Sequence, residues 1–200
     1  EKEPGSADRL HEKWEKICID FVSGKRVTIG RYAAICRSII EEFDALPITD
    51  EKKPRVGIVG EIFVKYSPLA NNRLRDFLIE NGAEPVIPGL IDFCLYSIFD
   101  TIYDRKLYGI RSAAYPLFRL AYSLVLKKQR DLIRIMEEDG TFEPPTPFSV
   151  TRSLAEDYIG LGTKMGEGWL LTAEMLELYT GGTKNIVCAQ PFGCLPNHIC

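Results

Sequence analysis

Pro54-Arg-Val-Gly-Ile-Val-Gly60 is a short, nearly continuous apolar run rich in β-branched residues. It is too short for a stable helix, and it reads as a strand buried on both faces, the kind that belongs to parallel sheets. Glu61 to Ala70 follows as a loop, and Asn71 or Asn72 can cap the next helix, whose expected core face is Leu74, Phe77 and Leu78. Asn81-Gly82 stops that helix, because glycine accepts the left-handed conformation required there. Glu84-Pro-Val-Ile-Pro88 then returns as a second strand. Strand, helix and strand in about 35 residues make a βαβ unit with a right-handed crossover.

The same grammar extends toward both ends. Upstream, Leu10, Trp14, Ile17, Cys18 and Phe21 mark one helix face that ends at Gly24. A second helical pattern runs from about Ile29 to Leu46, with Thr28 as its cap and Pro47 as its stop. Together these give an N-terminal helical extension over 1–50, a cover or entry arm without evident chemistry. Downstream, 91–138 reads as a helical insertion crowded with aromatic residues (Phe93, Tyr96, Phe99, Tyr103, Tyr108, Tyr115, Phe118, Tyr122), and its core positions include Leu117, Leu120, Ala121, Leu124, Ile133 and Met136. An aromatic stripe at helical spacing is core or interface. Gly140 to Pro147 is a proline-rich loop, helical pattern resumes over about Thr151 to Tyr179, and Asn185-Ile-Val-Cys-Ala-Gln190 is a third strand. The expected fold is therefore an α/β domain over 54–200, a small open parallel sheet with flanking helices. No internal repeat, coiled coil or low-complexity tract interrupts it.

Composition narrows the function classes. With 200 residues, 46 % of them hydrophobic, the chain can bury a core without disulfides or a structural metal. Its net charge is −3 and its 25 basic residues are scattered, which argues against nucleic acid as a partner. No apolar run reaches the ~18–20 residues of a membrane span. Six irregularly spaced cysteines suit a reducing, cytoplasmic setting better than a secreted scaffold. Cys18, Cys36 and Cys94 fall in apolar-periodic segments and are expected as small core residues. The chain begins at Glu1 and stops at Cys200 within an unfinished motif, so it reads as a segment cut from something longer.

In open parallel sheets, ligands collect outside the carboxyl ends of the strands. Two loops leave such ends. The first, Gly60 to Asn72, lacks both the G-x-G-x-x-G fingerprint and the phosphate loop G-x-x-x-x-G-K-S/T, so no nucleotide fold of either type is supported. It nevertheless holds Glu61, Lys65, Ser67, Asn71 and Asn72 ahead of a helix N-terminus; Glu61, Ser67, Asn71 and Asn72 are the ligand-binding candidates, against a reading of plain capping and solvated charge. The second loop is Pro191-Phe-Gly-Cys-Leu-Pro-Asn-His-Ile-Cys200. Cys194 sits just past the strand end, where Gly193 permits close backbone approach and two prolines stiffen the loop. A thiolate there can ligate iron or an iron–sulfur cluster, or act as a nucleophile. Cys188, inside the strand pattern, and Cys200 are weaker metal candidates. The spacing C-x5-C-x5-C matches neither a zinc knuckle nor a ferredoxin. His198 is a candidate base or ligand, weighed against a hydrogen-bonded loop histidine, and Glu167 and Glu174 are candidate acid/base groups, weighed against surface helix charges.

Two blocks together carry a family resemblance. Pro54-Arg-Val-Gly-Ile-Val-Gly-Glu-Ile-Phe63 with Asn72-Arg-Leu-Arg-Asp-Phe-Leu-Ile-Glu-Asn-Gly-Ala-Glu-Pro85 resembles the strand–loop–helix–strand of 2-hydroxyacyl-CoA dehydratase-type proteins. Gly166-Glu-Gly-Trp-Leu-Leu-Thr-Ala-Glu174, followed by Asn185 to Ile199, is similar to large acyl-CoA dehydratase activase-related proteins, often described as activators of (R)-2-hydroxyglutaryl-CoA dehydratase. The resemblance spans roughly 54–200 and is strongest at Pro191–Ile199. It implies a flavodoxin-like or dehydratase-subunit-like sheet, partnership with an ATP-binding activase module and other dehydratase-like domains, an acyl-CoA substrate and an iron–sulfur cluster. The activase's nucleotide loops do not occur here, so this chain corresponds to the dehydratase-like part, with Cys194 matched to a cluster-ligand cysteine. Its catalytic residues stay unknown. A non-catalytic interaction module docking through the aromatic helices, and a small-ligand-binding or thiol-dependent α/β domain, are the alternatives.

Overall fold

Arg55–Gly60 forms β1, the centre of a three-stranded, all-parallel sheet of order β2-β1-β3, with β2 at Glu84–Val86 and β3 at Asn185–Ala189. The computed structural model describes residues 1–24, 27–110 and 112–200. Register runs Arg55 to Glu84 and Gly57 to Val86 on one side of β1, and Val56 to Asn185 through Gly60 to Ala189 on the other. Burial rises along β1 until its last four residues are all buried, as a central parallel strand requires. Pro85 is tolerated because β2 is an edge strand, where a missing N–H costs little.

The expected loop after β1 is partly helical. Ile62–Tyr66 forms the one-turn helix α3, and α4 follows at Leu74–Glu80. The expected core face of α4 is only half right: Leu74 and Leu78 are half-buried, whereas Phe77 is exposed. With three short strands, the sheet offers too little surface to cover a whole helix face.

The chain divides into two compact units, Glu1–Lys52 with Lys128–Pro145, and Lys53–Lys127 with Thr146–Cys200. In the first, α1 (Ser6–Ser23) and α2 (Ile29–Asp44) bury Trp14, Phe21 and Ile40. The Thr28 hydroxyl accepts from Arg31 N–H as the cap of α2. Glu42 joins the two helices, accepting from Lys13 Nζ and from Trp14 Nε1 at 3.1 Å.

The second unit holds the sheet, α5 (Leu90–Tyr108), α7 (Phe148–Glu156), α8 (Trp169–Thr180) and the short α9 (Pro196–Ile199). The helical stretch after residue 90 is two helices, α5 and α6 (Tyr115–Asp139), with Gly109 in the left-handed conformation ending α5; Arg111, between them, lies outside the described residues. Helix α8 is buried on both sides. Its Leu171 and Leu178 pack on Val59, Val86 and Ile186 of the sheet. Its Trp169, Leu170 and Ala173 enter an aromatic core with Leu95, Tyr96, Phe99 and Phe148. Phe99 meets Trp169 edge-on, with centroids 6.0 Å apart. Gly57 lets α8 come close, since a Cβ there would stand 2.7 Å from Leu178 Cδ1.

Several sequence expectations are overturned. Leu117, Leu120 and Leu124 of α6 are exposed, and Gln129, Ile133 and Ile135 are that helix's buried residues. Cys94 and Cys188 are exposed rather than buried, and Cys18 and Cys36 are half-buried. Cys188 fails the expectation because β3 is an edge strand, which the apolar pattern alone does not reveal. Among the described residues, no helix is long and apolar enough to cross a membrane.

Candidate functional site at the carboxyl end of the sheet

β1 and β3 are locked together where they end. Gly60 has φ 136°, and a Cβ there would lie 1.9 Å from Ala189 O. Glu61 N–H donates to the same carbonyl at 3.1 Å. The two loops singled out in the sequence therefore leave the sheet side by side, one into α3 and the other into Pro191–Cys200.

The first loop spends most of its polar groups on its own backbone. The Glu61 carboxylate caps α3 by accepting from Val64 N–H at 2.9 Å. Asn71 Oδ1 accepts from Leu74 N–H, while its Nδ2 donates to Val64 O at 2.8 Å and to Lys65 O at 3.3 Å. Ser67 ends α3, its N–H donating to Phe63 O. Asn72 is exposed with φ 54°, which turns the chain into α4.

Lys65 departs from this pattern. It is 4 % exposed, and its Nζ donates to both oxygens of Glu174, at 2.7 and 3.0 Å; Glu174 is 2 % exposed, in the middle of α8. Burial pushes the Glu174 carboxyl up, the Lys65 ammonium pulls it down, and the net direction is up. Glu167, 4 % exposed, accepts from Ile62 N–H at 2.8 Å through Oε1. Its Oε2 is buried without a protein partner among the described residues. Both glutamates are thus core groups at the strand ends, not surface charges.

Glu167 is held by a loop only glycine can make. Gly166 and Gly168 have φ of 62° and 46°. A Cβ on Gly168 would stand 2.2 Å from Thr163 O, and one on Gly166 would stand 2.7 Å from Pro196 Cγ. The Tyr96 hydroxyl donates to Gly166 O at 2.9 Å, and Cys200 Sγ donates to Gly168 O at 3.2 Å. The Gly166–Gly168 turn thus meets the cysteine loop through buried Pro196 and through Cys200. Burial pushes the Cys200 thiol up.

Cys194 is half-buried, and its N–H donates to Pro191 O at 3.2 Å. Gly193 beside it has φ 74°, with open space where a Cβ would be. Phe192 is fully exposed, and His198 is exposed on α9. Cys188, Cys194 and Cys200 do not converge: among the described residues, no three or more His, Cys, Asp or Glu side chains could together hold a metal ion. The described residues of this chain therefore do not make a complete metal site by themselves.

A third buried acid lies in the aromatic core. Asp100 Oδ1 accepts from Trp169 Nε1 at 3.1 Å. Burial raises its pKa from 3.8 to about 6, against the pull of hydrogen bonds from Trp169 and Tyr96 and the charge of Lys164, which pairs with Asp104. A carboxyl whose folded pKa is raised contributes stability below its unfolded value and loses it as pH rises through the folded one. Asp100→Asn keeps the acceptor for Trp169 and cannot ionise. Urea unfolding should therefore show the variant gaining on the wild type by about 2 kcal/mol between pH 4 and pH 7. A constant difference across that range would contradict the burial of an ionisable Asp100.

No family model, curated protein or solved structure matches this chain.

Sequence reasoning missed Lys65 and Glu174 as a pair and placed Glu167 and Glu174 on the surface. One signal was present. Trp169-Leu-Leu-Thr-Ala-Glu-Met-Leu is apolar almost all round, the mark of a helix buried on every side, and a carboxylate inside such a helix needs a partner.

Proposed function

We propose that this chain is the dehydratase-like part of an ATP-driven, CoA-ester-linked redox system, with Cys194 contributing one ligand to an iron–sulfur cluster completed by other segments or subunits. The observation that carries the reading is the placement of Cys194: a free thiol beside an open glycine, just past the end of β3, on a loop that meets the Glu167-bearing turn through Pro196 and Cys200. The resemblance at Pro191–Ile199 supports it. The strand order β2-β1-β3 fits the first half of a flavodoxin-like sheet of the dehydratase-subunit kind, with 1–50 as a helical extension. Six free cysteines suit a reducing cytoplasm. The partners are an ATP-binding activase module and further dehydratase-like domains, and the substrate is an acyl-CoA. The cluster, when bound, supplies low-potential single electrons. This chain would offer the Cys194 sulfur, on a loop that meets the Gly166–Gly168 turn at Pro196 and Cys200.

The test is iron content in the longest natural chain that carries this sequence, purified without oxygen. Iron and acid-labile sulfide should be present, and Cys194→Ala should lower both by at least half. Unchanged iron in the variant would remove the assignment.

The exposed stripe Leu117, Leu120 and Leu124 on one face of α6 favours a second reading, an interaction module that docks the ATP-binding partner. Under that reading Leu120→Glu weakens association with the partner tenfold or more, and Cys194→Ala leaves it unchanged.

A further inference from the structure

The helical unit carries two cysteines that the site above does not use. Contacts between α1 and α2 fix an antiparallel register: Lys13 and Trp14 reach Glu42, and the Arg31 guanidinium lies 5.5 Å from the centroid of the Phe21 ring. Between those points, each residue gained on α1 is matched by one lost on α2, since both helices rise equally per residue. Those contacts bracket the α2 residues level with Cys18 between Ala34 and Ser38, and Cys36 lies at the centre of that span. Cys18 also lies one turn after Trp14 and one turn before Phe21, the two buried residues of α1, and Cys36 lies one turn before Ile40, the buried residue of α2.

Both cysteines are free and half-buried. Helices pack with axes ~8–10 Å apart and carry Cα atoms at a radius of ~2.3 Å, so residues facing directly across the seam have Cα atoms roughly 3.5–5.5 Å apart. Disulfides span about 4.4–6.8 Å between Cα atoms. The Cys36 thiol also senses its neighbour: burial pushes it up, a hydrogen bond with Tyr32 opposes that, and the charge of Cys18 adds to the upward push.

We propose that Cys18 and Cys36 form a dithiol that closes into a reversible intrachain disulfide on meeting a low-molecular-weight disulfide such as oxidised glutathione. One protein thiolate attacks a glutathione sulfur and releases one reduced glutathione. The second thiolate attacks the protein sulfur of that mixed disulfide and releases the other. Two electrons and two protons leave the protein thiols and reappear on two glutathione thiols. The product staples α1 to α2.

The experiment treats the folded 200-residue chain with oxidised glutathione, alkylates the remaining thiols and maps the peptides by mass. The expected result is a Cys18–Cys36 cross-linked peptide as the main product, removed by dithiothreitol, with a melting temperature above that of the reduced protein. Cys18→Ser and Cys36→Ser each abolish the cross-link and the melting shift. In denaturant, the same oxidant should spread cross-links over other cysteine pairs, which shows that the folded register selects this one. Persistent mixed disulfides at Cys18 or Cys36 without the cross-linked peptide, or a different pair as main product in the folded chain, overturn the proposal.

Discussion

Lys65→Met is expected to destabilise the sheet-containing unit by about 3–5 kcal/mol, because it strands Glu174 in the core without its cation. In a chain of this size that lowers the melting temperature by roughly 6–20 °C. The carboxylate accepts both of its strong hydrogen bonds from Lys65 Nζ, at 2.7 and 3.0 Å, and both side chains are almost fully buried. The loss should depend on pH in a defined direction. With its folded pKa raised by burial, Glu174 can take up a proton instead of remaining charged. The penalty of Lys65→Met is therefore small near pH 4, and it grows as pH rises through and above the ordinary carboxylate range. Lys65→Met combined with Glu174→Leu should recover most of the stability, since replacing both partners of a buried pair by apolar groups is often close to neutral. A double variant as unstable as the single one would show that the pair does more than satisfy itself in the core.

Gly60→Ala is the second large effect, expected to cost about 4 kcal/mol or more, in the range that marks a specific structural fault. Two penalties coincide at this residue. Its φ of 136° is one that side-chain-bearing residues rarely adopt, and the added Cβ would stand 1.9 Å from Ala189 O and 2.7 Å from Ala189 C. Neither neighbour is the flexible end of a side chain; both belong to the backbone of β3. Relief requires opening the seam between β1 and β3, which also breaks the Glu61 N–H to Ala189 O bond. Gly82→Ala provides the control. Gly82 also has positive φ, at 79°, yet open space surrounds the position, so only the conformational cost of about 1–2 kcal/mol applies. Equal losses for the two variants, measured by chemical unfolding, would count against the close approach at Gly60.

These two positions and the cysteine loop are parts of one arrangement. Gly60 brings β1 against β3, so that the loop to Lys65 and the loop to Cys194 leave the sheet together. The Gly166–Gly168 turn then places Glu167 against Ile62 N–H and meets the cysteine loop at Pro196 and Cys200.

Much of the scaffold was legible in the order of residue types. Arg55–Gly60 reads as a buried strand because a continuous β-branched run has no polar face to show to water, and it is the central strand. Thr28 reads as a helix cap because its short oxygen competes well for free N–H groups, and it accepts that bond. Before α4 the cap position falls on Arg73, not on Asn71 or Asn72, although Asn71 Oδ1 accepts from Leu74 N–H. The three strands are legible as short apolar runs, and the parallel pairing of β1 with β2 follows from the helical crossover between them.

What local pattern did not reach was which face of each element meets another. Leu117, Leu120 and Leu124 have perfect core spacing and are exposed, while Gln129 is buried on the same helix. Cys188 sits in a strand pattern and is exposed, because nothing in five residues tells an edge strand from a central one. Glu167, Glu174 and Lys65 became a buried set only when α8 was laid between the sheet and the aromatic core and Gly60 drew the strand ends together. The amino-acid order by itself determined the three strands, most of the longer helices, the cap of α2 and the parallel α/β class, since those follow from hydrogen bonding and hydrophobic period within a few residues. Only the tertiary structure decided where the charges lie, because burial and pairing depend on groups that are distant in the chain, such as Lys65 and Glu174.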